Sequence, residues 1–258
     1  MEITLERLKI ISGREGFNIV IIEKDYLVTY LLYLIRNVDG IYFKGGTALH
    51  KIVLNHERLS EDLDFTLTRN VGEVVKDIES VIKESIFNKI TRGKDVDNFV
   101  RLIVHYKLFH EEGTIFIDLN ERGKLILKPV KYQINHFYKD IIPDFSVMCM
   151  NKEEILAEKF AAAATRYRAR DYADLYFIAK KGIDINLDIT EKKFKEDGKQ
   201  FEKIDIFKKT NKIYPNWKKD LTPILRNMLD FKEVMNFLAK HFKLKEEKEH
   251  QKKSKVQS

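Results

Sequence analysis

The sequence predicts an α+β fold, with an α/β N-terminal half and an all-α C-terminal half that meet near residue 150. Three observations carry this. Apolar and polar residues alternate over Leu63-Asp64-Phe65-Thr66-Leu67, over Phe99 to Leu108 and over Thr114 to Asn120, the period-two pattern of half-buried strands. Between the first and second of these runs, Val71, Val74, Val75, Ile78, Val81, Ile82 and Ile86 recur at the spacing of an amphipathic helix. From Lys152 onward helical spacing takes over, with Leu156, Phe160, Ala163 and Tyr167 on one stripe.

Taken in order, Ile22 to Ile35 has helical spacing, with Tyr26, Tyr30, Tyr33 and Leu34 on one side of a buried amphipathic helix. Asp39-Gly40 breaks it, Ile41-Tyr42-Phe43 reads as a short strand, and Gly45-Gly46 ends that strand and opens a helix from Thr47 to Leu54. The runs at 99–108 and 114–120 flank His110-Glu111-Glu112-Gly113 and read as an antiparallel hairpin, and Phe145 to Met148 adds another strand. A second C-terminal helix begins near Asp171 and stops near Gly182; beyond it the chain is helical in tendency, interrupted by Pro215 and Pro223. The expected organisation is therefore a core at 1–150, a helical domain at 151–244 and a disordered basic tail at 245–258. Lys243 to Ser258 carries six of the lysines.

With 44% hydrophobic and 34% charged residues, the chain can bury a core and is not globally disordered. The single cysteine, Cys149, lies in the apolar run Val147-Met148-Cys149-Met150 and can form neither an internal disulfide nor a thiolate zinc cluster, which fits a reducing cytoplasm. No signal-peptide pattern opens the chain. The apolar stretch Tyr26 to Ile35 falls well short of the roughly 20 residues that span a bilayer, so no membrane partner is expected. His50, His56, His105, His110 and His136 have no metal-binding spacing, and there is no Walker-type glycine–lysine loop. The net charge of +7 is compatible with a polyanionic partner such as RNA.

The most informative segment is Phe43-Lys44-Gly45-Gly46-Thr47-Ala48-Leu49 followed by Arg58-Leu59-Ser60-Glu61-Asp62-Leu63-Asp64-Phe65. Two glycines between a strand and a helix let backbone N–H groups approach phosphate oxygens at the positive end of the helix, and Thr47 adds a hydroxyl donor. Asp62 and Asp64, two residues apart on a strand, project from one face. Two close carboxylates are costly unless a cation sits between them, and oxygen-only ligands beside a phosphate cradle suit Mg²⁺. Such an arrangement serves metal-assisted nucleotidyl transfer. Asp118, an acid inside the hydrophobic strand Ile115 to Asn120, is the candidate third metal ligand and the group that takes the proton of an attacking hydroxyl. Lys159 and Arg166 share one helical face, offset from the apolar stripe.

Together these blocks resemble the first motif of AbiEii/AbiGii-type toxins, nucleotidyltransferases of the DNA polymerase β-type superfamily. Glu23-Lys24-Asp25-Tyr26 resembles the N-terminal helix motif of that family, and Glu154-Ile155-Leu156-Ala157-Glu158-Lys159-Phe160 with Arg166 and Arg170-Asp171-Tyr172-Ala173-Asp174-Leu175-Tyr176 resembles its C-terminal motif. The likeness covers about residues 22–180. It implies a minimal nucleotidyltransferase fold, a short mixed sheet flanked by helices with a C-terminal helical domain. It also implies transfer of a nucleotide from an NTP to an RNA acceptor such as the tRNA 3′ end, under the control of a cognate antitoxin. Ser60 joins Gly45, Gly46 and Thr47 as nucleotide-binding, Lys159 and Arg166 are expected on the triphosphate, and Asp171 is a further active-site residue. Where the wider superfamily carries a serine after the first glycine, this chain has Gly46.

Plainer readings exist for each residue. Gly45-Gly46 serves equally as a tight turn, Asp118 as an edge-strand acid paired with an arginine such as Arg122, and Lys159 and Arg166 as an exposed stripe paired with Glu158 or Glu154. Asp171 also suits a helix start, where acids complement the dipole, and Lys24 and Asp25 suit a polar helix start. Two other functions fit the same scaffold: transfer to a small-molecule or protein hydroxyl, and nucleotide or RNA binding without catalysis.

Overall fold

Thr4 and Asn18 set the first two helices. The Thr4 hydroxyl accepts from the Arg7 N–H at 3.2 Å and starts α1 (Leu5–Glu15), while the Asn18 side chain accepts from Val20 N–H at 2.8 Å and starts α2 (Ile19–Ile35). The structure, a computed structural model, describes residues 3–87, 89–110, 112–196, 202–208 and 210–244. The tail expected at 245–258 lies outside these residues. Two compact units are present, Met1–Ile155 and Leu156–Ser258.

In the first unit, α2 is apolar nearly all round and buried on nearly all sides, not along one amphipathic stripe. It begins three residues earlier than the spacing predicts. Lys24 and Asp25 therefore lie inside the helix rather than at a polar start, and Asp25 is buried with Glu23. The chain continues through β1 (Ile41–Lys44) into α3 (Gly45–Ala48), which runs on as a π-helical stretch over Leu49–Leu54. β2 (Leu63–Leu67) is followed by α4 (Val71–Ile82), whose Val74, Val75, Ile78 and Ile82 are buried. Then come β3 (Lys89–Val96), β4 (Phe99–Lys107), β5 (Glu112–Asn120), β6 (Val130–Gln133) and β7 (Ser146–Cys149). They form one mixed sheet in the order β3-β4-β5-β2-β1-β7-β6. β4 and β5 make the expected antiparallel hairpin, in register from Phe99↔Asn120 to Lys107↔Glu112. β2 pairs antiparallel with β1 but parallel with β5. β3 is a charged edge strand, a composition that discourages edge-to-edge association.

A polar knot sits behind α3. The Lys51 ammonium donates to Asp25 Oδ1 at 2.8 Å and to Thr29 Oγ1 at 2.9 Å, and the Tyr138 hydroxyl donates to Ile22 O at 2.8 Å and Asp25 Oδ2 at 3.1 Å. Lys51 and Asp25 are almost wholly buried, so removing one partner leaves the other charge uncompensated. Lys51→Met should destabilise the fold by about 3–5 kcal/mol, and a urea titration showing less than a quarter of that loss would count against the pair.

Two histidines beside this knot are buried and neutral. Burial, then the Lys51 charge, pushes His56 down to about 3 and His136 down to about 4 from the ordinary 6.5. Each binds its proton more tightly when the chain is unfolded, so their contribution is complete above about pH 6.5 and drains away as the pH falls toward 4. Denaturation midpoints should therefore drop steadily between pH 7 and pH 4, with a shallower slope in His56→Gln; identical slopes would contradict the assignment.

The second unit contains most of α5 (Lys152–Arg166), then α6 (Ala169–Lys180), α7 (Leu187–Glu196), α8 (Trp217–Leu221) and α9 (Phe231–His241), with short 3₁₀ turns between α7 and α8. The Tyr172 hydroxyl donates to Ala163 O at 3.1 Å and also to Ile206 O, and the Trp217 indole donates to Leu229 O at 2.8 Å. Tyr167 lies outside α5 in a left-handed conformation, so the expected stripe ends at Ala163.

Candidate active site

The strand–helix turn is built around one missing side chain. Gly45 has φ +78°, and a Cβ there would lie 2.1 Å from Asp64 Oδ2. The carboxylate of Asp64 thus packs on bare backbone, and glycine is required twice over, by conformation and by space. Gly46 approaches Ser60 Oγ and Arg58 Nη2, which a Cβ would meet at 3.1 and 3.2 Å. Arg58 is buried and donates to Leu59 O at 2.9 Å, fixing the loop before β2. The first N–H groups of α3 have no carbonyl partner within the helix, a polarity suited to an anion. The Thr47 hydroxyl was expected to donate to a phosphate. It is buried, and donates to the Asp62 carbonyl at 2.5 Å because that carbonyl passes directly beside it.

Leu63 and Phe65 are buried, so Asp64 between them stands half-buried on the other face of β2, and Asp62, also half-buried, directly precedes the strand. Strand pairing extends this into a row. Lys44 on β1 is opposite Asp64, Asp64 is opposite Asp118 on β5, and Asp118 is opposite Arg101 on β4. Facing residues of paired strands share a face. Arg101 grips Asp118 through both oxygens, Nε to Oδ1 at 2.7 Å and Nη2 to Oδ2 at 2.6 Å, and lies 4.8 Å from the ring centre of Phe116. The Arg101 guanidinium is pushed up by its hydrogen bonds to Asp118, with the charges of Asp118, Asp62 and Asp64 adding to the effect.

Asp118 is therefore in an interior strand, not an edge strand, and its partner is Arg101; Arg122 donates instead to the Asp97 carbonyl. Among the described residues no three His, Cys, Asp or Glu side chains are grouped as they would be around a metal, and Asp118 is held by Arg101. The chemistry of Asp62 and Asp64, two half-buried carboxylates close in sequence beside the Gly45 turn, suits a hard divalent cation.

α2 braces this site at three points. Glu23 accepts from the N–H groups of Phe109 and His110 at 2.9 and 3.3 Å and pairs with His110 Nδ1 at 2.5 Å, holding the β4–β5 turn. Lys24 bonds Glu61 at 3.1 Å, one residue before the acid pair, and Asp25 holds the cradle helix through Lys51. Their spacing showed a helix, but nothing local named these partners. Glu154 likewise accepts from Ile126 and Leu127 N–H groups at 3.0 and 2.9 Å.

In the second unit, Lys159 lies between Asp171 Oδ1 and Asp174 Oδ2, each 2.9 Å away. Asp174 is fully buried and supplies half of this clasp. The second oxygen of Asp171 is buried without a hydrogen-bond partner. Lys193 approaches Glu158 at 3.3 Å. Arg166 closes α5 with an exposed side chain and does not join the clasp.

A mixed sheet with flanking helices, an acid pair against a glycine turn, and C-terminal helices define a nucleotidyltransferase. The chain belongs to the AbiEii family, described as nucleotidyl transferase AbiEii toxin of type IV toxin–antitoxin systems, whose match covers residues 35–243. Among solved structures, MenT4, a nucleotidyltransferase toxin from Mycobacterium tuberculosis H37Rv, superposes with a TM-score of 0.69 at 19% identity, over 93% of this chain and 89% of that one. JHP933 from Helicobacter pylori superposes with a TM-score of 0.60 at 24% identity, over 94% of this chain and 100% of that one. At these identities the likeness is one of fold. No curated protein matches the sequence. The protein is thus a nucleotidyltransferase toxin that uses an NTP and is paired with a cognate antitoxin. No described helix is long and apolar enough to cross a membrane.

Proposed function

We propose that this toxin transfers a nucleotide from an NTP to the terminal hydroxyl of an RNA, namely the 3′ end of tRNA, in the cytoplasm and with Mg²⁺. The observation that carries the reading is the packing of Asp64 against Gly45, which puts a carboxylate directly on the phosphate turn. Asp62 and Asp64 would hold the metal, which when bound supplies charge neutralisation for the phosphates and polarises the reacting phosphorus. Backbone N–H groups of Gly46 and Thr47, with Ser60 beside them, receive the triphosphate. Asp118 faces the acceptor hydroxyl and takes its proton as the oxygen bonds to the α-phosphorus. The α–β bridging bond breaks and pyrophosphate leaves. Lys159, steadied by Asp171 and Asp174, together with Arg166, offsets the charge of the departing phosphates. The net charge of +7 supports a polyanionic acceptor over a cationic small molecule.

The acceptor is tested by expressing the toxin and sequencing the 3′ ends of small RNAs. Extended tRNA ends that vanish in Asp62→Ala are expected. Unaltered RNA ends beside a nucleotide-modified protein or small molecule would refute the RNA assignment.

A further inference from the structure

We infer that the second unit carries a docking surface for single-stranded RNA, with Tyr214 as the platform on which an unpaired base stacks and Lys212, Lys218 and Lys219 as its phosphate contacts. The inference rests on the RNA acceptor proposed above, and it goes beyond that reading by naming the side chains that hold the RNA.

Tyr214 is 63% exposed, more than any other large hydrophobic side chain among the described residues. The ring is nevertheless held in place. Ile213 before it and Trp217 after it are buried, so the short turn Tyr214–Asn216 is anchored at both ends with its own three residues outside. Pro215 fixes one backbone angle within that turn. Beside the Tyr214 ring lies Phe231, 5.1 Å away between ring centres, and Phe231 meets the Trp217 ring edge-on at 5.2 Å. Trp217 is pinned through its indole N–H on Leu229 O, and Phe231 opens α9, where the Asp230 side chain accepts from Glu233 N–H at 2.9 Å. A ring left so far in water adds little burial to the fold. Held on two others, it is preorganised for a flat partner, because much of the ordering cost of binding has already been met.

Charge surrounds the ring. Residues 211–219 contain three lysines and no acid, and all three lysines are exposed. Trp217 and Leu221 are the buried residues of α8, so Lys218 and Lys219 stand on its outer side. Of the nearest acids, Asp220 is half-buried and Asp230 is engaged in capping α9. An aromatic ring set among lysines suits single-stranded nucleic acid, since any base offers a flat face and every phosphate a charge. A duplex keeps its bases stacked on one another, so the fit is to an unpaired stretch. An acidic protein segment would satisfy the lysines but leave the ring without a flat partner.

The test measures binding of the full chain to total tRNA and to an unstructured RNA nonamer by fluorescence anisotropy, with melting temperatures alongside. Tyr214→Leu keeps an apolar side chain against Phe231 but offers no ring. It should lose about tenfold in affinity for both RNAs at an unchanged melting temperature, whereas Tyr214→Phe should stay within about twofold. Exchanging Lys212, Lys218 and Lys219 for glutamine should reduce the slope of log affinity against log salt by about two, from three contacts at about 0.7 each. Full RNA affinity in folded Tyr214→Leu, or an unaltered salt slope in the lysine variant, would overturn the inference and leave the RNA acceptor standing. So would polyglutamate that binds as tightly as RNA and equally well to Tyr214→Leu, which would make this a surface for acidic protein. Failure of the unchanged chain to bind either RNA would overturn the inference together with the RNA acceptor.

Discussion

Asp64→Asn is expected to reduce nucleotidyl transfer by about a thousandfold, the scale on which removal of one preorganised charge from a reacting phosphate or oxyanion site acts. The side chain sits at the centre of the site. It packs on Gly45, lies opposite Asp118, and follows Asp62 by two residues. Asparagine keeps the shape and the contact with Gly45 but removes half of the charge available to a metal from the Asp62–Asp64 pair. The fold should not suffer. Like charges nearby offset the weakened attraction to Lys44 opposite, so the melting temperature should hold. Loss of activity together with a lower melting temperature would recast Asp64 as structural. Retained activity would remove it from the metal site.

Gly45→Ala is expected to have the second largest effect, and for a different reason. A left-handed backbone at a non-glycine residue costs about 1–3 kcal/mol where the surroundings impose it. The new methyl would also sit 2.1 Å from Asp64 Oδ2, so the carboxylate must move or the turn must open. Displacement on the scale of an ångström at a reacting centre costs about a hundredfold in rate. Transfer should therefore fall by about that factor, with a measurable drop in the denaturation midpoint. Asp64→Asn should lose far less stability. An alanine variant with full activity would mean that Asp64 does not need its place against the turn.

These two residues were legible in the sequence because their signals are local. Gly45 stands between an apolar strand and a helix, and Asp62 and Asp64 alternate with Leu63 and Phe65, so conformation and facing follow from neighbours along the chain. The main hairpin and α4 were legible for the same reason. Arg101 was not. It belongs to an ordinary alternating strand, and its hold on Asp118 comes from the register between β4 and β5, which places partners 17 residues apart. Lys24 and Asp25 were misplaced at a helix start because burial all round α2 leaves no stripe to mark its true beginning at Ile19. The edge strand β3 carries too many charges to alternate, and α1 buries only Leu8 and Ile11, too few to declare a period. Asp174 looked like any acid of a helix until tertiary packing placed it beside Lys159.

The central claim is Mg²⁺-dependent nucleotide transfer to RNA from the Asp62–Asp64 site. The most direct measurement incubates the purified chain with total tRNA and each α-labelled NTP in turn, with Mg²⁺ or with a chelator, beside Asp62→Ala. Label on tRNA that needs Mg²⁺ and disappears in Asp62→Ala is the predicted result. Label that persists in the chelated reaction or in Asp62→Ala would contradict it, as would a protein that binds NTP yet labels no tRNA with any of the four.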